Sequence, residues 1–486
     1  MSNTELPPIR LMSSCKPPIR RPSALLSLLP LVVLVVMLVF TIRAFGSDAL
    51  MGASQVTLIV VSAFCVLIGM AVLHVPWDHF ERAITKNVSS VSSALVILLL
   101  IGALSGTWMV SGVVPTLIYY GLQIIHPDIF LFSTCVICAL VSVMTGSSWT
   151  TIATIGIALM GIGRAMGFSE GWIAGAIISG AYFGDKVSPL SDTTVLASAS
   201  CGVPLLRHVR FLMYTSVPAL LVALAVFLLR GLLGSSLEAE ASADILQSLN
   251  ATFHISPVLL LIPLLTFVLI LLRVGTNLTL AASTLMGCIG MVVAQPQLIG
   301  GVGDILRVLL VGASPETGNA MLDSLTETGG IRGISDTIFL VCSSVVFGGT
   351  LMGTGMLQTI TNAITRHLRG VRRTVGATVG TGLFLNAFTA DQYLSIIIGC
   401  NIYKGIYRRQ HFDPRLLSRT VEDSTSVTSV LIPWNSCGMT QSTVLGVATL
   451  TYLPFCVFNW MSPLMSLLWE HYLDKNFRRE MGEKAE

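Results

Sequence analysis

From Leu25 to Leu468 the chain repeats apolar runs long enough to cross a bilayer, and this recurrence narrows the fold more than any other feature. A helical span needs about 20 largely apolar residues. Runs such as LLSLLPLVVLVVMLVF, beginning at Leu25, are continuous, whereas membrane-barrel strands are short and alternate. Only 11% of the residues are charged, against about 25% in a soluble domain. The reading is an all-α polytopic membrane protein with lipid as its surroundings. The net charge of +3 comes from basic residues scattered over loops, so no nucleic-acid partner is expected.

The first run follows Arg10, Lys16, Arg20 and Arg21, and no small-residue cleavage pattern follows it. It reads as an uncleaved first span. The ten cysteines show no metal-ligand pattern. Cys135 and Cys138 have CxxC spacing but lie inside FLFSTCVICALVS, where inert buried thiols are expected. Phosphate-cradling loops, zinc signatures and nucleophile elbows are missing too, so no cofactor is implied.

The chain carries signs of an internal duplication. Laying residues 145–198 on 389–442 pairs Thr145 with Thr389, Gly161 with Gly405, Phe168 with Phe412 and Pro189 with Pro433. GALSGTWM (Gly102–Met109) likewise falls on GTLMGTGM (Gly349–Met356). Loop charge gives the relative orientation, because Lys and Arg collect on cytoplasmic loops. HVPWDHFERAITKN reads as inside, while its counterpart over residues 295–336 reads as outside. YYGLQIIHPDIF, without Lys or Arg, reads as outside, while its counterpart from Arg366 to Arg373 is strongly basic. Equivalent loops on opposite sides define an inverted-topology repeat.

The organisation expected is a cytoplasmic tail (1–23), a first inverted repeat (24–233), a periplasmic linker (234–255), a second repeat (256–470) and a cytoplasmic tail (471–486). About ten transmembrane helices are expected near residues 24–43, 55–75, 91–125, 171–203, 209–233, 256–273, 278–295, 337–362, 415–451 and 454–470. Segments 129–164 and 374–403 enter and leave on one side as re-entrant hairpins, with tips at Met144–Thr151 and Asn386–Ser395.

Two spans are interrupted, at GDKVSPLSDTT and at EDSTSVTSVLIPWNSCG. Pro189 and Pro433 remove backbone donors and break the helices there. Irregular backbone at membrane depth is tolerated where it lines a wet cavity or is buried in protein. Hydroxyl, amide and carboxylate oxygens at such breaks suit a hard monovalent cation such as Na⁺, and intramembrane carboxylates are functional by default. The expected ion- and proton-coupling residues are Asp192, Asp185, Asp391, Glu422 and Asp423, with Asp192 foremost because it follows the Pro189 break. Expected cation-binding groups are Ser147, Ser148, Thr150, Ser188, Thr193, Asn386, Thr389, Ser424, Thr428 and Asn435, with Na⁺ seated at Asp192, Thr193, Ser147 and Asn386. Blander alternatives are a surface pair of Asp185 with Lys186, and helix capping by Glu422 and Asp423. His74 and His79 read as interfacial.

FGDKVSPLSDTT, TGSSWTT, ADQYLS and EDS…LIPWNSCG resemble the NhaC family of sodium/proton antiporters, which also contains malate/lactate exchangers. The resemblance covers nearly the whole chain. It implies exchange of cytoplasmic Na⁺, with Li⁺ as partial substitute, for external protons across the bacterial inner membrane. It also implies an elevator-like movement and a homodimer. The second break reads EDSTSVTSVLIPW where the family pattern carries a glycine and a proline, which implies a milder break there.

Cation/proton exchange needs only carboxylates that bind Na⁺ and H⁺ by turns. The alternative is a Na⁺- or H⁺-coupled exchanger of small organic anions or amino acids, for which Lys186 is the nearby basic residue. An intramembrane enzyme is disfavoured, because no Ser–His or Cys–His constellation lies in the polar segments.

Overall fold

The computed structural model describes residues 22–45, 52–233, 239–272, 274–314, 323, 326–365 and 368–482. The N-terminal basic residues, Arg366 in the basic loop, and the start of the linker lie outside them. The described residues are helical throughout, apart from turns and one antiparallel bridge between Ala313 and Thr328. Among the described residues six helices are long and apolar enough to cross a membrane, or up to eight when each of two bent pairs counts as one span. The interrupted spans expected from the sequence are not among them.

The first half comprises α1 (Ala24–Phe45), α2 (Ala53–Ala71), α3 (Trp77–Val110), α4 (Val113–Ile124), α5 (Phe130–Thr145), α6 (Ser148–Thr151), α7 (Ile157–Ala165), α8 (Glu170–Val187), α9 (Asp192–Cys201) and α10 (Leu205–Leu233). A π-helical turn, Ile152–Gly156, joins α6 to α7. The expected cytoplasmic loop HVPWDHFERAITKN is instead the start of α3. Phe80, Ile84, Asn87 and Val91 recur at helical spacing on its inner side, while Asp78, Glu81 and Arg82 face outward. The expected span 91–125 bends by 66° where α3 gives way to α4. Gly112 occupies the left-handed region there at φ 82°.

α11 (Ala239–Thr252) occupies most of the linker, and α12 (Leu261–Leu271), α13 (Thr276–Ala294) and the short α14 (Val302–Val311) follow. The half is completed by α15 (Ser335–Thr354), α16 (Met356–Thr365), α17 (Val371–Thr389), α18 (Gln392–Arg409), α19 (Pro414–Ser424), α20 (Ser436–Leu445), α21 (Thr449–Tyr452) and α22 (Val457–Gly482). α22 runs on into the expected C-terminal tail.

One succession occurs twice. A helix ends at a left-handed glycine and a second helix follows, as α3–Gly112–α4 and α15–Gly355–α16. Next come a helical hairpin, a broken helix and a long helix. Contacts sort these elements into two bundles, α1–α4 with α12–α16, and α5–α10 with α17–α22. The second bundle is held by unusually close seams. A Cβ on Gly180 of α8 would lie 2.2 Å from the Cys135 carbonyl oxygen of α5, and one on Gly184 would lie 2.5 Å from that of Ala139. Cys135 and Cys138 are buried there, as expected. The bundles meet where α4 touches α7 and α15 touches α17.

Candidate cation site

The first hairpin turns at Gly146, φ 69°, and Ser147 then caps α6 by accepting a hydrogen bond from the Thr150 N–H at 3.2 Å. This turn delivers two donors to one carboxylate. The Ser148 N–H and hydroxyl donate to Asp185 Oδ2 at 3.1 and 2.6 Å. Across the Pro189 break, Ser191 Oγ donates to Asp185 Oδ1 at 2.5 Å and lies 2.9 Å from Thr193 Oγ1. Ser188 Oγ donates to the Val143 carbonyl at 2.8 Å, tying the break to α5. Thr150 Oγ1 lies 3.1 Å from Ser147 Oγ. Tip and break thus wrap Asp185, and a Cβ on Gly146 would come within 2.7 Å of the Leu190 backbone.

The second hairpin turns at Ala390, φ 56°, and Asp391 caps α18 by accepting from the Leu394 N–H at 2.9 Å. Ser436 Oγ donates to the other oxygen of Asp391 at 3.4 Å, and its N–H donates to the Ala390 carbonyl at 2.8 Å. Asn386 donates to the Thr425 carbonyl and to Thr428 Oγ1, at 2.7 and 3.0 Å, while Asn435 donates to the Asn386 carbonyl at 3.0 Å. The helix break here is longer than the first, not milder. It runs from Thr425 to Asn435 with only a 3₁₀ turn inside, against Ser188–Ser191 in the first half. Pro433 therefore does not end α19. Hydroxyls at this end turn back on the chain: Ser424 donates to the Thr420 carbonyl at 2.7 Å, Thr425 to Val421 at 2.6 Å and Ser429 to Ser426 at 2.7 Å. Such back-bonding competes with the helix ladder. Thr389 Oγ1 spends its proton close to home as well, on the Asp391 carbonyl at 2.8 Å.

Both tips face a cavity of about 720 Å³. Ser147, Asp185, Ser191, Asp192, Thr193, Asp391 and Ser436 line it, and among its described lining residues there is no Lys, Arg or His. Of the expected Na⁺ ligands, Ser147, Asp192 and Thr193 are gathered here, while Asn386 sits outside the lining in the second break. Ser148 is outside the lining too, and Thr150 lines a neighbouring cavity instead. Asp192, placed foremost by the sequence, is the most exposed of the three carboxylates. It is exposed on the first turn of α9 and also lines a neighbouring cavity of about 340 Å³. Asp185 is half-buried and Asp391 buried. The sequence reading missed the turn between α12 and α13, where Gly275, Thr276 and Asn277 close the cavity from the other bundle. Gln392 and Tyr393 were passed over as well. The LRVGTNL stretch carries no motif, and only packing reveals its place.

Glu422, Asp423 and Lys186 lie apart from the cavity lining, and all three are buried. Lys186 pairs with Asp423 rather than forming a surface pair with Asp185, and Ser462 Oγ lies 2.8 Å from both. Neither Glu422 nor Asp423 caps a surface helix. Arg419 Nε stands 3.8 Å from Asp423 Oδ2. Glu422 meets His208 Nε2 at 3.0 Å and Thr194 Oγ1 at 3.2 Å. His208 was missed, hidden between Arg207 and Arg210 at the start of a span.

The sequence profile of the Na⁺/H⁺ antiporter family matches residues 16–199 and 180–469. The Na⁺/H⁺ antiporter NhaC of Alkalihalophilus pseudofirmus is 37% identical over 82% of this chain and 85% of its own. The malate-2H⁺/Na⁺-lactate antiporter of Bacillus subtilis is 37% identical over 84% and 86%. The arginine/ornithine antiporter ArcD of Halobacterium salinarum is 32% identical over 94% of each. These relatives are transporters, not enzymes. Apolar helices, a cavity walled by carboxylates and hydroxyls, and similarity along most of its length agree: this multi-pass membrane chain belongs to the Na⁺/H⁺ antiporter family.

Proposed function

We propose that the protein exchanges Na⁺ for H⁺, with Asp185 and Asp192 as the cation carboxylates and Ser147, Ser191 and Thr193 as neighbouring oxygen ligands. The observation that carries this reading is the cavity wall. Three carboxylates face it, with no cationic side chain among its described lining residues. Hard oxygen donors favour a small hard cation, and Li⁺ shares that chemistry. Protons compete for the same carboxylates, so falling pH should weaken apparent Na⁺ affinity. The protein belongs in the inner membrane with both termini cytoplasmic, and the repeated succession of elements supports an inverted repeat. Two bundles meeting around the site support elevator-like movement of the hairpin-bearing bundle within each protomer of a homodimer.

Everted vesicles test the reading. Addition of Na⁺ alone should dissipate an imposed pH gradient, and vesicles lacking the protein should not respond. A response that requires an organic solute moves the assignment to the second reading, organic-solute exchange. The cavity volume favours that alternative, because about 720 Å³ exceeds the space one ion fills. The pairing of Lys186 with Asp423 removes the nearby cation an organic anion needs, so within the alternative a cationic amino acid fits better than malate or lactate.

A further inference from the structure

Behind the cation cavity lies an ionisable pair that exchange at Asp185 and Asp192 does not use. His208 of α10 and Glu422 of α19 are both fully buried, with Nε2 3.0 Å from Oε2. The other ring nitrogen, Nδ1, lies 2.9 Å from Ser418 Oγ, which also stands 3.2 Å from the Arg415 carbonyl. Ser418 has a single proton and two places to put it. If Ser418 donates to Nδ1, the neutral ring carries its hydrogen on Nε2 and donates to the Glu422 carboxylate. If Ser418 donates to the Arg415 carbonyl, Nδ1 must carry hydrogen and donate to Ser418. The close Nε2···Oε2 contact then requires one further proton between ring and carboxyl. The same heavy-atom positions therefore serve a loaded and an unloaded state, differing by one proton and one hydroxyl rotation.

The surroundings give that proton an electrostatic purpose. α19 brings Glu422, Asp423 and Arg419 to this region, with Arg415 at its outer end, and α8 brings Lys186 and Asp185. α22 contributes Ser462 and, near Arg419, Glu470, while α9 supplies Thr194 and α18 the buried thiol of Cys400, itself in contact with Cys201. Asp185, Glu422 and Asp423, with Glu470 beside Arg419, outnumber Lys186 and Arg419, and a proton on the pair lowers the excess negative charge. Uncompensated buried charge is costly, and Na⁺ at Asp185 would supply the same missing charge. Thr194 Oγ1 links the two places, 3.0 Å from the Lys186 carbonyl and 3.2 Å from Glu422.

We propose that His208 and Glu422 form a second proton site, which releases its proton to solvent when a cation seats at Asp185. The proposal rests on the cation-exchange reading above. One Na⁺ enters, one H⁺ leaves from an N–H or O–H bond, and the buried charge is unchanged.

Proton release on Na⁺ binding tests it. Purified protein in weakly buffered detergent receives radioactive NaCl, and a pH dye counts protons released per Na⁺ bound. Wild type should release protons. His208→Gln combined with Glu422→Gln, which keeps a neutral hydrogen-bonding pair, should still bind Na⁺ but release about one proton fewer per ion. Unchanged release from this folded double variant overturns the proposal. Wild-type protein that binds Na⁺ without releasing any proton, or binds none, overturns the exchange reading instead. Should the double variant not fold, the wild type decides. With isotope-labelled histidine rings, its Na⁺-induced infrared difference spectrum should contain label-sensitive bands, and their absence overturns the proposal.

Discussion

At the first hairpin tip Thr145 and Ser147 stand partly open to the cavity, whereas at the second Asn386, Thr389 and Asp391 are each 2% exposed or less. The two helix breaks follow the same division. Ser191 and Thr193 aim their hydroxyls at one another and at Asp185. Ser424, Thr425 and Ser429 spend theirs on carbonyls of their own segment. Matching places in the two halves therefore do different work. The first hairpin and break hold side-chain oxygens at the edge of a wet space, and the second hairpin and break form a drier frame that presents Asp391 and Ser436 to it. Hydroxyl content alone does not distinguish a binding segment from a structural one; the destination of each proton does.

The comparison breaks most readily at the two aspartates. Asp185→Asn should lower Na⁺-driven proton movement in everted vesicles by about 100-fold or more, because the charge is lost and one of the two acceptor oxygens becomes a donor facing the Ser148 or Ser191 donors. Asp391→Asn should cost far less, within about 5-fold, since Asn also caps helices well. Equal losses at both positions would show that the second half binds the ion as directly as the first. Gly146→Ala comes next. It places a methyl 2.7 Å from the Leu190 backbone at a left-handed φ, and should reduce transport by about 10-fold with a lower melting temperature in detergent. Ala390→Gly is the mirror test and the smallest effect. Relief of the φ 56° strain should leave transport unchanged and raise stability by no more than about 1 kcal/mol. Weaker transport in that variant would mean that the drier frame must be rigid to function.

The sequence made the polar interruptions visible because they break long apolar runs. TGSSWTT and ADQYLS stand out for that reason, and the turns at Gly146 and Ala390 fall inside the expected tips. Pro189 marks its break correctly. Pro433 lies within its break as well, although the break begins eight residues earlier, at Thr425, than the proline alone indicates. The start of α3 was read as a loop because charge was weighed above helical period. Glu422 and Asp423 were visible as carboxylates, but their partners His208 and Lys186 come from helices distant in the chain. Nothing in either neighbourhood announces the pairing. The GTN turn before α13 belongs to the site only through packing of one bundle on the other.

The glycines of α8 carry a mechanical consequence. At Gly180 and Gly184 no side chain separates α8 from the carbonyls of α5, so neither helix can roll or slide without driving backbone into backbone. Where the bundles meet, both kinds of contact occur: Ile118 of α4 lies over Gly161 of α7 and Ile162 of α7 over Gly121 of α4, while a Cβ on Gly348 of α15 would lie 2.7 Å from the Thr389 carbonyl oxygen of α17. At the first of these junctions branched side chains cover bare glycine, so rotamers rather than carbonyls set the spacing there. The hairpin arm and broken helix that hold Asp185 are therefore locked together as one unit by backbone contact alone, a coupling that no side-chain rotation can relax.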